Sequence, residues 1–234
     1  MAARLEGTRI VLTGASRGLG RALAEAFARE GARQVLTATH ADHLAGALRA
    51  CAAAGAEAHG LALDLADAES VRRAAAESIA HLGRVDALVN NAGLLGVRRD
   101  LVDYPMEVWE RVLAVGVTGT LRLVQGIVPA MAEGGAIINV TSGASGRPTW
   151  GAYSIAKLAI DGITGMLRAE LAPGGLRCVG INPGPARTAM RAAAYPGEDP
   201  ATVPHPSSLV GPFVAVAAGA DPGPHVEAAE WTGR

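Results

Sequence analysis

The chain has 234 residues, half of them hydrophobic but only 3% aromatic, and a formal net charge of −1. This length suits one large domain over residues 1–234, its core built from Ala, Val, Leu and Ile. The near-zero charge excludes the electrostatic footprint of a nucleic-acid or anionic-membrane binder. Cys51 and Cys178 have no metal-like spacing and no disulfide framework, and read as small buried apolar residues. No signal-peptide series follows Met1, and no apolar run long enough to span a bilayer is expected, so a cytoplasmic protein is expected.

Taken in chain order, a strand over residues 9–13 runs into Thr13-Gly14-Ala15-Ser16-Arg17-Gly18-Leu19-Gly20 and an Ala-rich helix over 18–30. Glycines at a strand end permit a tight turn and close approach of a pyrophosphate, and the helix behind them offers free N–H groups and a positive dipole end. The second strand, 34–39, ends in Thr37-Ala38-Thr39-His40 without a carboxylate that would repel a ribose 2′-phosphate, and Arg17 lies in the loop before it. A helix over 41–54 and a strand over 58–63 lead to Asp64. This residue suits either a hydrogen bond from an adenine amino group or the N-cap of a helix over 66–82.

A fourth strand, 87–90, ends in Asn90-Asn91-Ala92-Gly93. One long helix is then expected over 106–131 and a fifth strand over 136–141. That strand stops at Thr141-Ser142-Gly143-Ala144-Ser145, where a hydroxyl at the carboxyl end of a parallel strand would face a ligand crevice. On the helix over 151–171, Tyr153 and Lys157 stand four apart and share a face. A nearby ammonium favours phenolate, so the pair suits proton transfer. Lys157 is the only lysine among 21 basic residues, so this placement reads as a requirement for a compact cation rather than for charge in general. A sixth strand over 177–182, a Pro/Gly-rich loop over 195–206, a helix over 207–218 and a weak strand over 226–230 complete the chain. Strict alternation of strands and helices calls for a parallel sheet covered on both faces.

The glycine loop, the Asn90–Gly93 motif, Ser142, Tyr153-x-x-x-Lys157 and Pro183-Gly184 followed by Thr188 occur in the order found in short-chain dehydrogenases/reductases, and the chain resembles that family over its whole length. The resemblance implies an α/β, doubly wound Rossmann-type sheet of order 3-2-1-4-5-6-7 and hydride transfer between a nicotinamide cofactor and a small carbonyl or alcohol. Tyr153 would be the acid/base and Ser142 would orient the carbonyl, with Ser145 as its alternative. Lys157 would hold the nicotinamide ribose and lower the tyrosine pKa. Cofactor contacts are expected from Thr13, Gly14, Ser16, Arg17, Gly18, Leu19, Gly20, Thr39, Asp64 and Leu65. Asn90, Ala92 and Gly93 are expected beside the adenosine, and Pro183, Gly184 and Thr188 beside the nicotinamide. NADP(H) is expected over NAD(H), no metal is expected, and the family's helix pairing implies a homodimer or homotetramer. Two departures stand out. Gly116 occupies the place of an Asn that serves the family's proton relay, and the Ser142–Tyr153 interval is about two residues short. A non-catalytic dinucleotide-binding sensor is the alternative reading. Trp150 and residues 187–206 are expected around the substrate. Arg98 and Arg99 read as a solvated pair that could also meet an anionic substrate, and His40 and His205 as solvated loop residues.

Overall fold

The computed structural model describes residues 3–232. Seven parallel strands form one sheet in the order β3-β2-β1-β4-β5-β6-β7, as expected. The strands are β1 (Arg9–Leu12), β2 (Arg33–Ala38), β3 (Ala58–Ala62), β4 (Val85–Asn90), β5 (Met131–Val140), β6 (Arg177–Asn182) and β7 (His225–Glu227). Val11 pairs with Val35 on one side and Leu88 on the other, so the strand pairs β1–β2 and β1–β4 straddle the point where the strand order reverses. A crevice opens there at the carboxyl ends of the strands.

Helices α1 (Gly18–Arg29), α2 (Ala45–Ala53) and α8 (Gly211–Ala217) cover one face. There Ile10 and Leu12 pack with Leu23, Phe27 and Phe213. On the other face Val11, Leu88 and Ile137 pack with Leu123, Val124 and Ile127. Side chains alternate across each strand, so a continuous apolar run supplies both layers at once. Cys51 and Cys178 are buried, and burial pushes their thiols up to about 11 and about 12.

Several element boundaries differ from expectation. The stretch 41–54 divides into a 3₁₀ turn (Ala41–Leu44) and α2. Helix α3 (Ala68–Leu82) starts two residues late because Asp67, not Asp64, caps it, its side chain accepting the Glu69 N–H. The long helix becomes α4 (Met106–Leu113), a π-helical segment (Ala114–Gly119), α5 (Thr120–Ile127) and a 3₁₀ turn, and Met131 already belongs to β5. Contrary to the expectation for apolar runs, Met106–Ala130 is long and apolar enough by composition to cross a membrane. Here it is a core helix, with Val112, Val115, Leu123, Val124 and Ile127 buried. Between Thr188 and the expected loop over 195–206 lies α7 (Ala189–Ala194), capped by the Thr188 hydroxyl, which accepts the Arg191 N–H. Residues 195–206 carry a 3₁₀ turn at Pro200–Thr202, and another 3₁₀ turn (Pro206–Leu209) precedes α8. Helix α6 (Gly151–Leu171) lies where expected.

Candidate active site

A cleft of about 1070 Å³ lies over the carboxyl ends of β1, β2, β4, β5 and β6. Its floor is the glycine loop. Gly14 and Gly18 adopt φ of 67° and 57°, which an L side chain resists, and a Cβ on Gly18 would lie 3.1 Å from the Thr188 methyl. Arg17, the N-cap of α1, is extended and makes no side-chain cap, and the first turn carries no acid. The leading N–H groups of α1 therefore lack the side-chain acceptors that α3 and α7 possess, and they suit an anionic phosphate. Charge agrees: Arg17, Arg111, Arg187, Arg191 and Lys157 line the cleft, against the single carboxylate of Asp64.

Of the residues expected to hold the cofactor, Gly14, Ser16, Arg17, Gly18, Leu19, Gly20, Thr39, Asp64, Leu65, Ala92, Gly93, Pro183, Gly184 and Thr188 line this cleft. Thr13 and Asn90 do not; the structure places both behind its wall. The buried Thr13 hydroxyl donates to Val89 O and accepts the N–H groups of Asn91 and Ala92, splicing the loops after β1 and β4. Asn90 donates to Asn139 Oδ1 at 2.9 Å, and Asn139 in turn donates to Thr164. Asn91 is the amide on the wall, donating to the carbonyls of Thr13 and Gly14. The two asparagines are consecutive, but β4 ends at Asn90, and only Asn91, just past the strand, lines the cleft.

Asp64 is neither cap nor free acceptor. Its carboxylate accepts the Ala66 N–H and both of its oxygens bind Arg111, at 3.1 and 2.9 Å. Burial opposes its ionisation, yet the Ala66 amide and Arg111 outweigh that and hold it below the ordinary carboxylate value. Arg111, on α4, has no counterpart in the sequence reading because nothing in its local pattern sets it apart from other surface arginines.

Ser142, Tyr153 and Lys157 all line the cleft. The Ser142 hydroxyl accepts the Ala144 N–H at 3.1 Å, which fixes its direction after β5. Burial raises the Tyr153 phenol above its ordinary value, and the Ser142 hydroxyl offsets this in part. The lowering expected from Lys157 is not seen in this geometry. Its Nζ donates to Val140 O at 2.6 Å and lies 5.8 Å from the phenol ring centroid. Burial lowers Lys157 itself to about 8. Ser145 turns away from the cleft and donates to Asp161 at 2.7 Å, so Ser142 alone of the two serines faces Tyr153. Gly116 sits in the π-helical segment, its Cα side facing Ala156 of α6.

Leu94, Leu95, Trp150, Met190 and Ala194 give the cleft an apolar stretch of wall. Arg98 is more than a solvated charge. Its guanidinium stacks 4.7 Å from the Trp150 centroid and 5.2 Å from that of Tyr195, and donates to Ala194 O. Arg191 covers Tyr195 at 3.7 Å and pairs with Glu198 at 2.6 Å. These contacts tie the segment after β4 and the start of α6 to the segment after α7. His40 is exposed on the cleft rim and His205 is exposed outside it.

The fold and this cleft define a dinucleotide-binding oxidoreductase of the doubly wound α/β class. The family model for short chain dehydrogenase matches residues 8–199. An oxidoreductase of Escherichia coli, YciK, is 34% identical over 208 residues, covering 86% of this chain and 82% of that protein. Sorbitol dehydrogenase of Cereibacter sphaeroides is 38% identical over 187 residues, covering 77% and 71%. Among solved structures, a Shigella flexneri short chain dehydrogenase complexed with NADP superposes with a TM-score of 0.92 at 30% identity, covering 98% of this chain and all of that one. An Escherichia coli relative complexed with NADPH gives 0.91 at 31%, covering 97% and 99%. The chain belongs to the short-chain dehydrogenase/reductase family, and is a nicotinamide-dependent oxidoreductase.

Proposed function

We propose that the chain is an NADP(H)-preferring reductase of small carbonyl compounds, working in the cytoplasm, with Tyr153 as the proton donor. The observation that carries this reading is the meeting of Ser142, Tyr153 and Lys157 on one cleft wall, opposite an uncapped, glycine-lined helix N-terminus. The bound nicotinamide supplies the hydride. Ser142 donates to the carbonyl oxygen as charge develops there, and Tyr153 delivers the proton that completes the alcohol. Lys157 holds the cofactor ribose. Gly14, Ser16, Gly18, Leu19 and Gly20 hold the pyrophosphate, and Arg17 meets the ribose 2′-phosphate. Thr39, Asp64, Leu65, Ala92 and Gly93 border the adenosine half, and Pro183, Gly184 and Thr188 the nicotinamide half. Thr13 and Asn90 act by fixing the loops that carry these groups.

Preference for NADP(H) is supported by Arg17 and by a β2 end without a carboxylate, and the relatives complexed with NADP and NADPH are in keeping with it. The apolar wall beside Tyr153 suits a carbonyl bearing an apolar substituent. Fluorescence titration should show NADPH binding about tenfold or more tighter than NADH. R17A should weaken NADPH binding and leave NADH binding nearly unchanged. Equal affinities in the wild type would overturn the preference. Y153F should lose about 100-fold or more in kcat while keeping its NADPH affinity; turnover near wild type would remove Tyr153 from the chemistry.

A further inference from the structure

Ser145 and Asp161 play no part in the chemistry above, yet they are joined immediately behind it. Asp161 lies one turn beyond Lys157 on α6, which puts the two side chains on one helix face. Ser145 Oγ donates to Asp161 Oδ2 at 2.7 Å, while Asp161 Oδ1 is buried and has no hydrogen-bond partner among the described residues. A carboxylate held in this way keeps acceptor capacity and charge that its own neighbours do not neutralise. Lys157 needs such a charge. Burial drives it toward the neutral amine, and Asp161 is what acts in the opposite direction. Among the described residues its one hydrogen bond goes to the uncharged Val140 carbonyl.

Other elements around Lys157 offer no alternative. The π-helical segment in front of it, Ala114–Gly119, carries no ionisable side chain, and Gly116 carries none at all. On α4, Arg111 is bound to Asp64, and Glu107 and Glu110 are exposed. At the nearby end of β5 no side chain is charged, Glu133 lying seven residues before Val140 at the opposite end of the strand. Arg177 is at the far end of β6, bound to the carbonyls of Val216 and Ala220. On α6 itself Tyr153 is a neutral phenol held above its ordinary value.

We propose that Ser145 and Asp161 form an anionic brace behind the active site, in which the carboxylate is the counter-charge that keeps Lys157 an ammonium and Ser145 fixes its direction. Asp161 is a positioning residue: it reaches substrate and cofactor only through Lys157. The inference rests on the proposed role of Lys157, but its test does not depend on turnover.

Because the chain has one lysine, protein labelled with [ε-13C]lysine shows a single lysine side-chain resonance, and its titration can be read directly by NMR. In the wild type it should titrate near 8. In D161N, isosteric and still able to accept from Ser145, it should titrate about one unit lower or more, a tenfold or larger rise in the proton dissociation constant. D161E keeps the charge and should bring the titration back toward the wild type, which a packing role alone would not do. The alkaline limb of NADPH binding should move with the same variants. Should D161N fail to fold, D161S provides the same measurement. A folded D161N or D161S titrating with the wild type, or a D161E titrating as low as D161N, overturns the proposal. Failure of Y153F to slow turnover would instead overturn the assignment of the chemistry and leave this result standing.

Discussion

At the residue scale the cost of placing an ammonium in this cleft is measurable in the folding equilibrium. The folded-state pKa of Lys157 is about 8 against an ordinary 10.5. Between those values the unfolded chain binds more protons than the folded one, so this residue's contribution to stability rises with pH across that window. Below pH 8 the full cost is present, on the order of 3 kcal/mol at most. K157M should accordingly be more stable relative to wild type at pH 7 than at pH 10, the difference shrinking as pH rises through the window. Urea unfolding of both proteins at the two pH values checks this; a difference independent of pH would mean that Lys157 keeps its ordinary pKa in the fold. The same charge that is costly for folding is what the proposed reaction uses, and Tyr-x-x-x-Lys is legible in the sequence because helical phase alone puts both groups on one face. The direction of Lys157 was not. Its bond to Val140 O depends on where β5 ends relative to α6, which no local pattern encodes.

At the element scale, the segment between α4 and α5 shows two glycines with opposite reasons. A Cβ on Gly119 would run into the carbonyl oxygen of Leu65, the residue after β3 that lines the cofactor cleft. Backbone cannot yield as a side chain can, so G119A should destabilise the fold by about 1–3 kcal/mol and disturb the cleft wall at Leu65. A Cβ on Gly116 would lie 3.3 Å from the Ala156 Cβ, a neighbour that needs to give only a few tenths of an ångström. G116N should therefore fold. Thermal unfolding of both variants tests the contrast, and equal losses would show that the Leu65 carbonyl does not set the cost. The sequence pointed to a continuous helix here because the apolar period runs unbroken from 106 to 131. The π-helical turn that interrupts it packs Gly116 against Ala156 of α6 and Gly119 against Leu65 of the β3–α3 loop. The short Ser142–Tyr153 connection has a comparable origin. Gly146, Thr149 and Gly151 adopt φ of 69°, 66° and 51°, so the chain turns sharply enough to reach α6 with two residues fewer. Thr149, β-branched, bears that conformation as strain.

At the scale of the whole molecule, the outer side of the helices flanking the cleft remains apolar. Leu158 and Met166 on α6 are 51% and 63% exposed, and Met106 on α4 is 58% exposed. We propose that a homodimer or homotetramer, which the family resemblance implies, pairs through these helices and covers them. Sedimentation velocity should show an oligomer for the wild type, and a double substitution of Leu158 and Met166 by Glu should shift it toward the monomer. A wild-type monomer at micromolar concentration would refute the assembly.

The sheet with its two apolar layers, the glycine loop and the Tyr–Lys pair are written in local sequence. Each depends on a short-range period or on a residue type that only one backbone conformation accepts. Tertiary structure decided which of Asn90 and Asn91 reaches the cleft, which of Ser142 and Ser145 faces the tyrosine, and that Asp64 is bound by Arg111. It also turned Arg98 from a surface charge into a tie between Trp150 and Tyr195. These outcomes join residues tens of positions apart, and their energies come from desolvation and from hydrogen-bond partners on other elements. A polar side chain carries no local mark of the partner it will meet across the sheet, so that part of the site exists only once the strands and helices have packed.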